Sequence, residues 1–304
     1  LSRTATGANR FLDPAVLGRI SNLELLSRTV VDGFLNGIHK APYLGLSMDF
    51  AQHRPYVPGD DIRHLDWRLF ARTDRYYIKQ YEAETNTDVV ALVDVSKSMD
   101  WTGDEDRPTK LDYARFLAAS MLYMSRRQRD RVGCVTFDHS IIERVPAAGR
   151  NLELALMALE RSEARGPGNL RQSVLEATGG LHKRGLVLLI SDFYEDVEEV
   201  VAAIRLLTAR KQDVMVFHLL DPAERDLEPG DAMDFIDAET DEQIPVVPNR
   251  IRGSYAEIMD AHTAAMQKKL VREGVDYISV DTSKPLDLTL FRYLSLRARS
   301  TRRR

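Results

Sequence analysis

The sequence predicts an α/β protein with a doubly wound, mostly parallel sheet, and three observations carry that prediction. Val89 to Val93 and Leu186 to Ile190 are unbroken apolar runs, the pattern of strands buried on both faces. Stretches of helical periodicity separate the strand-like runs, as parallel crossovers require. Val132 to Phe137 and Ile141 to Val145 are joined only by Asp138, His139 and Ser140. That link is too short for a crossover, so the two must form a hairpin and put one antiparallel edge strand in the sheet.

The remaining elements follow in chain order. Leu1 to Arg10 are small and polar, a loose tail. Asp13 followed by Pro14 is an N-cap with proline at the first helical position, and Val16, Ile20, Leu23, Val30, Phe34 and Ile38 recur at helical spacing. One long helix ending near Gly37 is expected. From Tyr43 to Glu84 the chain turns to short β-like pieces crowded with charge, with a tight turn at Pro58-Gly59. Asp60, Asp61, Arg63, Asp66, Arg68 and Arg72 interleave there, which suits a self-neutralising salt-bridge network with Trp67 as a packing anchor beneath. A docking surface is the alternative use of the same charges.

After the first buried strand, a helix starts at Thr109 and runs through Tyr113, Phe116, Leu117, Met121 and Met124, closing on Arg126 to Arg131, where cations suit the helix dipole. At that spacing the methionines belong to the core. Leu152 to Leu159 and Leu170 to Leu181 read as helices flanking a loop, Glu163 to Asn169. Val197 to Arg210 is a helix and Val214 to Leu220 a strand, followed by a Pro- and acid-rich turn from Asp221 to Asp231. Met233 to Ile236 and Ile244 to Val247 make a small hairpin around a solvated acidic loop. Tyr255 to Val271 is an amphipathic helix, Val275 to Val280 a last strand, and Leu286 to Leu296 a last helix before a basic, solvated end. The resulting division is a tail (1–10), an N-terminal helix with a charged β-rich segment (11–87), the α/β domain (88–283), and a C-terminal helix with a basic tail (284–304).

At 304 residues and 44% hydrophobic content the chain can bury a large core, and a net charge of −4 argues against a nucleic-acid-binding protein as a whole. The single cysteine, Cys134, excludes an internal disulfide and reads as a small buried hydrophobe. No apolar run approaches the ~20 residues of a membrane span, and the start lacks a signal-peptide core. A soluble, cytoplasmic protein is the expectation. The chain opens on Leu1 rather than Met, which leaves room for a preceding segment.

Chemistry concentrates in Asp88 to Asp100, DVVALVDVSKSMD. Polarity begins abruptly at Asp94, and Asp94, Ser96 and Ser98 sit two apart, so their oxygens emerge together at the carboxyl end of a strand, where open α/β sheets bind ligands. One carboxylate and two hydroxyls make a hard oxygen site suited to Mg²⁺, with Mn²⁺ or Ca²⁺ as alternatives. An ion held by so few charges stays electrophilic and can accept a carboxylate from another protein. The competing reading is that Asp94 and the serines only cap the following helix and satisfy loop amides. Asp192 ends the second buried strand and would meet Asp94 at the same rim, or else would cap the helix from Val197. Phosphate-loop, dinucleotide, zinc-protease and nucleophile-elbow motifs are absent, and no second carboxylate stands two residues after Asp94. A non-catalytic protein is therefore expected, with a metal-dependent phosphohydrolase as the minority alternative.

Two resemblances sharpen this reading. DVSKS resembles the D-x-S-x-S signature of the metal-ion-dependent adhesion site (MIDAS) of von Willebrand factor A domains. In that family a loop threonine adds a further ligand; here GPGNL stands in its place, with Gly168 at the threonine position and Asn169 as the substitute oxygen. Asp192 matches the family's last acidic position, which acts through water or a neighbouring hydroxyl. The charged segment is similar to the hallmark of domain-of-unknown-function family fifty-eight, roughly F-x-x-x-R-x-Y-x-x-G-D-D-x-R-x-x-D-W-x-x-x-A-R. It is matched at Phe50, Arg54, Tyr56, Gly59, Asp60, Asp61, Arg63, Asp66, Trp67, Ala71 and Arg72. The resemblance implies a von Willebrand factor A-like interaction module, a metal set of Asp94, Ser96, Ser98, Asp192 and Asn169, and a partner among the MoxR-type AAA+ ATPases in protein assembly or maturation. A scaffold whose metal site has decayed is the alternative, prompted by Gly168.

Overall fold

A computed structural model describes residues 13–18, 20, 22–40, 52–56, 67–73, 75–80, 87–227, 230–236 and 242–302. Helix α1 (Pro14–Leu17) and helix α2 (Leu23–Lys40) replace the single long helix expected from periodicity. Asp13 does cap α1, its Oδ1 accepting from Ala15 N–H at 3.0 Å. The break has a local cause: Gly18 closes α1, and Asn22 Oδ1 accepts from Leu25 N–H at 2.8 Å, starting a second helix on its own cap.

Strand β1 (Gln52–Pro55) and strand β2 (Tyr77–Gln80) pair antiparallel, and helix α3 (Trp67–Thr73) lies between them in sequence, where only β-like pieces were expected. Trp67 is no buried anchor. It is 60% exposed and meets Phe70 edge-on at 6.3 Å, while Phe70 stacks on Tyr76 at 4.5 Å. The tail 1–10, Phe50, the Pro58-Gly59 turn and the charges at Asp60, Asp61, Arg63 and Asp66 lie outside the described residues.

The main domain comprises β3 (Asp88–Asp94), α4 (Lys110–Arg127), β4 (Arg131–Phe137), β5 (Ile141–Ala148), α5 (Leu152–Arg161), α6 (Leu170–Thr178), β6 (Gly185–Ser191), α7 (Val197–Ala209) and β7 (Asp213–Leu220). It continues with α8 (Pro222–Arg225), the hairpin β8 (Met233–Ile236) and β9 (Gln243–Val246), α9 (Pro248–Arg272), β10 (Asp276–Asp281) and α10 (Leu286–Arg302). The short α8 lies in what the composition suggested was only a turn; Asp221 and Glu224 form a capping box there. The acidic loop between β8 and β9 lies largely outside the described residues.

Six strands form one sheet in the order β10-β7-β6-β3-β4-β5, every neighbouring pair parallel except β4 and β5. This is the von Willebrand factor A-like arrangement, with its one reversed edge. Strand periodicity feeds two cores. Val89, Ala91 and Val93 of β3 face the layer of α2, α4, α5 and α10, while Val90 and Leu92 face α6, α7 and α9. Met121, Met124 and Cys134 are buried as expected. Gly133 fits where β5 presses on β4, for a Cβ there would lie 2.6 Å from the Val145 carbonyl oxygen. Among the described residues no helix is long and apolar enough to cross a membrane.

Candidate metal centre at the carboxyl edge of the sheet

The two central strands deliver the candidate residues together. Asp94 ends β3 with 6% exposure, and its Oδ1 accepts from Ser96 N–H at 2.8 Å. β6 runs alongside in the register Val93↔Ile190. The next residue, Ser191, donates its hydroxyl to Asp94 Oδ2 at 2.6 Å and accepts from Phe193 N–H at 3.0 Å. Both Asp94 oxygens are thereby oriented, and Asp192 follows directly, 3% exposed.

Ser96 precedes a single 3₁₀ turn, Lys97–Met99, but its hydroxyl makes no capping bond to that turn. It shares a hydrogen bond of 3.1 Å with Ser98 Oγ instead. The loop-amide part of the competing reading holds at Asp94, whose Oδ1 takes the Ser96 N–H, but its helix-cap part fails at Ser96. It also fails at Asp192, because α7 is capped by Asp196, whose Oδ1 accepts from Glu198 N–H at 2.7 Å. Neighbouring backbone pins the serine loop: Val95 N–H donates to Phe137 O at 2.7 Å, and Lys97 N–H to Gly166 O at 2.9 Å. Gly166 makes that approach possible, with φ +57° and the Asp138 carboxylate where a Cβ would come within 2.9 Å.

Asn169, expected to stand in for the missing threonine, sits at the start of α6, where its Oδ1 accepts from Gln172 N–H at 3.0 Å. Its amide oxygen is engaged as a helix cap, and Gly168 supplies no side-chain oxygen.

The electrostatics of the rim include two residues that sequence reasoning passed over. Lys110, the first residue of α4, is fully buried, and its Nζ lies 2.7 Å from Asp192 Oδ2 and 2.5 Å from Glu224 Oε1. The ammonium also stands 4.7 Å from the Tyr194 ring centroid. Burial works to lower the Lys110 pKa, but Asp192 and Glu224 outweigh it and hold the group above its ordinary value. Asp94 is pushed up to about 7, first by burial and then by the charge of Asp192, against hydrogen bonds from Ser191 and Ser96. Burial likewise raises Glu224, opposed by Lys110. His218, beside Ser191 on β7, is depressed to about 4 by burial and adds no positive charge at neutral pH.

The donor types gathered here, a carboxylate and two hydroxyls, are those a hard divalent ion takes. Adjacent corners of an octahedron with bonds of ~2.1 Å lie about 3.0 Å apart, and the serine hydroxyl oxygens are 3.1 Å apart. Counted formally, the three acids Asp94, Asp192 and Glu224 outnumber the single base Lys110 by two, the number of charges one divalent cation balances. Among the described residues no group of three or more His, Cys, Asp or Glu side chains converges as a metal cage, so the hydroxyls are essential to any ion held here.

The description "Protein of unknown function DUF58" matches residues 52–265. The chain is similar to the uncharacterized protein Rv1480 of Mycobacterium tuberculosis, 27% identical over 296 residues that cover 94% of this chain and 91% of that one. Among solved structures it is similar to the conserved hypothetical protein BatB from Bacteroides thetaiotaomicron, at 16% identity and TM-score 0.46, covering 70% of this chain and 99% of that one. It is also similar to an aerotolerance-related membrane protein from Bacteroides fragilis, at 18% identity and TM-score 0.47, covering 69% and 99%. By the family match across most of its length, with an A-type sheet beneath it, this chain belongs to the DUF58 family.

Proposed function

We propose that this chain is a non-catalytic protein-interaction module that engages a partner's carboxylate through a Mg²⁺-type ion. Asp94, Ser96 and Ser98 would hold the ion, with Asp192 behind them, and Asn169 would remain the cap of α6. Bound there, the ion supplies an electrophilic position for an anionic side chain. The chain's own residues keep that position competent: Ser191 and the Ser96 backbone orient Asp94, and the Gly166 loop fixes the serine loop. The observation that carries the reading is the 3.1 Å approach of the two serine hydroxyls beside a buried, hydrogen-bonded Asp94.

Family resemblance makes a MoxR-type AAA+ ATPase the partner we propose, with protein assembly or maturation as the shared task. The test is capture of partners from the source cell by the full chain, in Mg²⁺ and in EDTA, repeated with Asp94→Ala. Capture that requires both Mg²⁺ and Asp94 is expected. Identical capture in every condition would remove the ion from the mechanism. Together with no Mg²⁺ effect on stability, it would leave a scaffold, the reading favoured by Gly168 and by the engaged amide of Asn169.

A further inference from the structure

Lys110 is a fully buried lysine at the first position of a helix, a place where the helix dipole disfavours a cation. Thr109 already caps α4, its hydroxyl accepting from Asp112 N–H at 3.2 Å, so Lys110 is not there to start the helix. Its ammonium is directed to the rim instead, at 2.7 Å from Asp192 and 2.5 Å from Glu224. Asp192 directly follows Ser191, whose hydroxyl donates to Asp94 Oδ2 at 2.6 Å. The positive charge is therefore one residue removed from the oxygens that would hold the ion.

We propose that Lys110 is a tethered cation that weakens capture of a divalent ion at this rim and strengthens capture of a carboxylate on the ion once it is bound. This inference rests on the ion reading above. Charge counting gives it its direction. Three carboxylates and one ammonium leave −2, so the ion-loaded rim is neutral and an incoming carboxylate takes it to −1. Without Lys110 the loaded rim is already −1, and the same carboxylate must take it to −2. One unit charge within ~10 Å, in a medium of effective dielectric constant ~20, changes an affinity by at least roughly tenfold. Lys110 also occupies one oxygen of Asp192, which keeps that carboxylate from donating fully to the ion and leaves the ion more electrophilic.

The test uses the full chain, with Mn²⁺ alone as the first probe, followed by water-proton relaxation at constant ionic strength. Acetate is the second probe, added to the Mn²⁺-loaded protein. Lys110→Met is expected to bind Mn²⁺ about tenfold more tightly than the wild type, and its loaded form to bind acetate several-fold more weakly. Lys110→Gln, which keeps a hydrogen-bond donor toward Asp192 and Glu224, is expected to tighten Mn²⁺ binding likewise. It carries the test alone if circular dichroism shows that Lys110→Met does not fold. Equal Mn²⁺ affinity in the wild type and the folded variants would overturn the role of Lys110 while leaving the ion site intact. Weaker Mn²⁺ binding by either folded Lys110 variant would overturn it as well. Absence of Mn²⁺ binding in all three proteins would bring down the ion site and this inference together.

Discussion

Replacing Asp94 by Asn in metal-free protein tests whether the rim stores uncompensated negative charge. In the folded chain Asp94 keeps its proton up to about 7, against an ordinary value of 3.8. Between those values the folded state binds more protons than the unfolded one, so this group's contribution to stability is complete below about pH 4 and is lost as pH rises through 7. At ~1.4 kcal/mol per pH unit the full loss is ~4 kcal/mol by pH 8. Asparagine removes the charge and keeps the bonds: its Oδ1 still accepts from Ser96 N–H, and its amide donates to the Ser191 hydroxyl. The assay is urea unfolding of both proteins in EDTA from pH 4 to pH 8, reported as the difference between them. Taking the difference matters because His218, depressed to about 4, loses stability in the opposite direction, as pH falls from about 6.5 through 4. Asp94→Asn should be near wild type at pH 4 and more stable by up to ~4 kcal/mol at pH 8. Millimolar Mg²⁺ should narrow that gap at pH 8 by stabilising only the wild type, by ~2.7 kcal/mol at a hundredfold excess over its dissociation constant. A difference that stays flat with pH would refute the claim that Asp94 is buried beside a second negative charge.

Two further outcomes are expected. Gly166→Ala places a Cβ 2.9 Å from the Asp138 carboxylate at φ +57°; it should cost about 1–3 kcal/mol in chemical denaturation and loosen the serine loop, seen as faster amide exchange at Lys97. Cys134 is 1% exposed and its thiol is raised well above its ordinary range by burial. It should react with a thiol reagent only at the rate of global unfolding, and prompt labelling of native protein would contradict its place in the sheet.

Much of the architecture was legible because its signals are local. Two wholly apolar runs announced β3 and β6, a three-residue link forced β4 and β5 into a hairpin, and the abrupt change at Asp94 marked the rim. What was missed has tertiary causes. Asn22 capping a second helix was hidden inside a continuous helical periodicity. Trp67 reads as core by residue type, yet it sits on the outer side of a short helix. Lys110 looks like a surface lysine in a charged helix start, and Glu224 like one more acid in an acid-rich turn; only folding brings them against Asp192. The sequence also offers Asn169 as an oxygen donor without revealing that α6 would claim that oxygen as its cap.

The buried trio of Lys110, Asp192 and Glu224 also constrains how such a chain can diverge. Its members stand 82 and 114 residues apart in sequence, so no local duplication or deletion can exchange them as a set. Loss of Lys110 strands two carboxylates in the interior, at a cost of about 3–5 kcal/mol, whereas loss of one acid leaves a paired ammonium and an apolar replacement of all three can be nearly neutral. The single step at Lys110 is therefore closed while the triple step is open, and lineages that abandon the trio should rarely carry the two acids without the lysine.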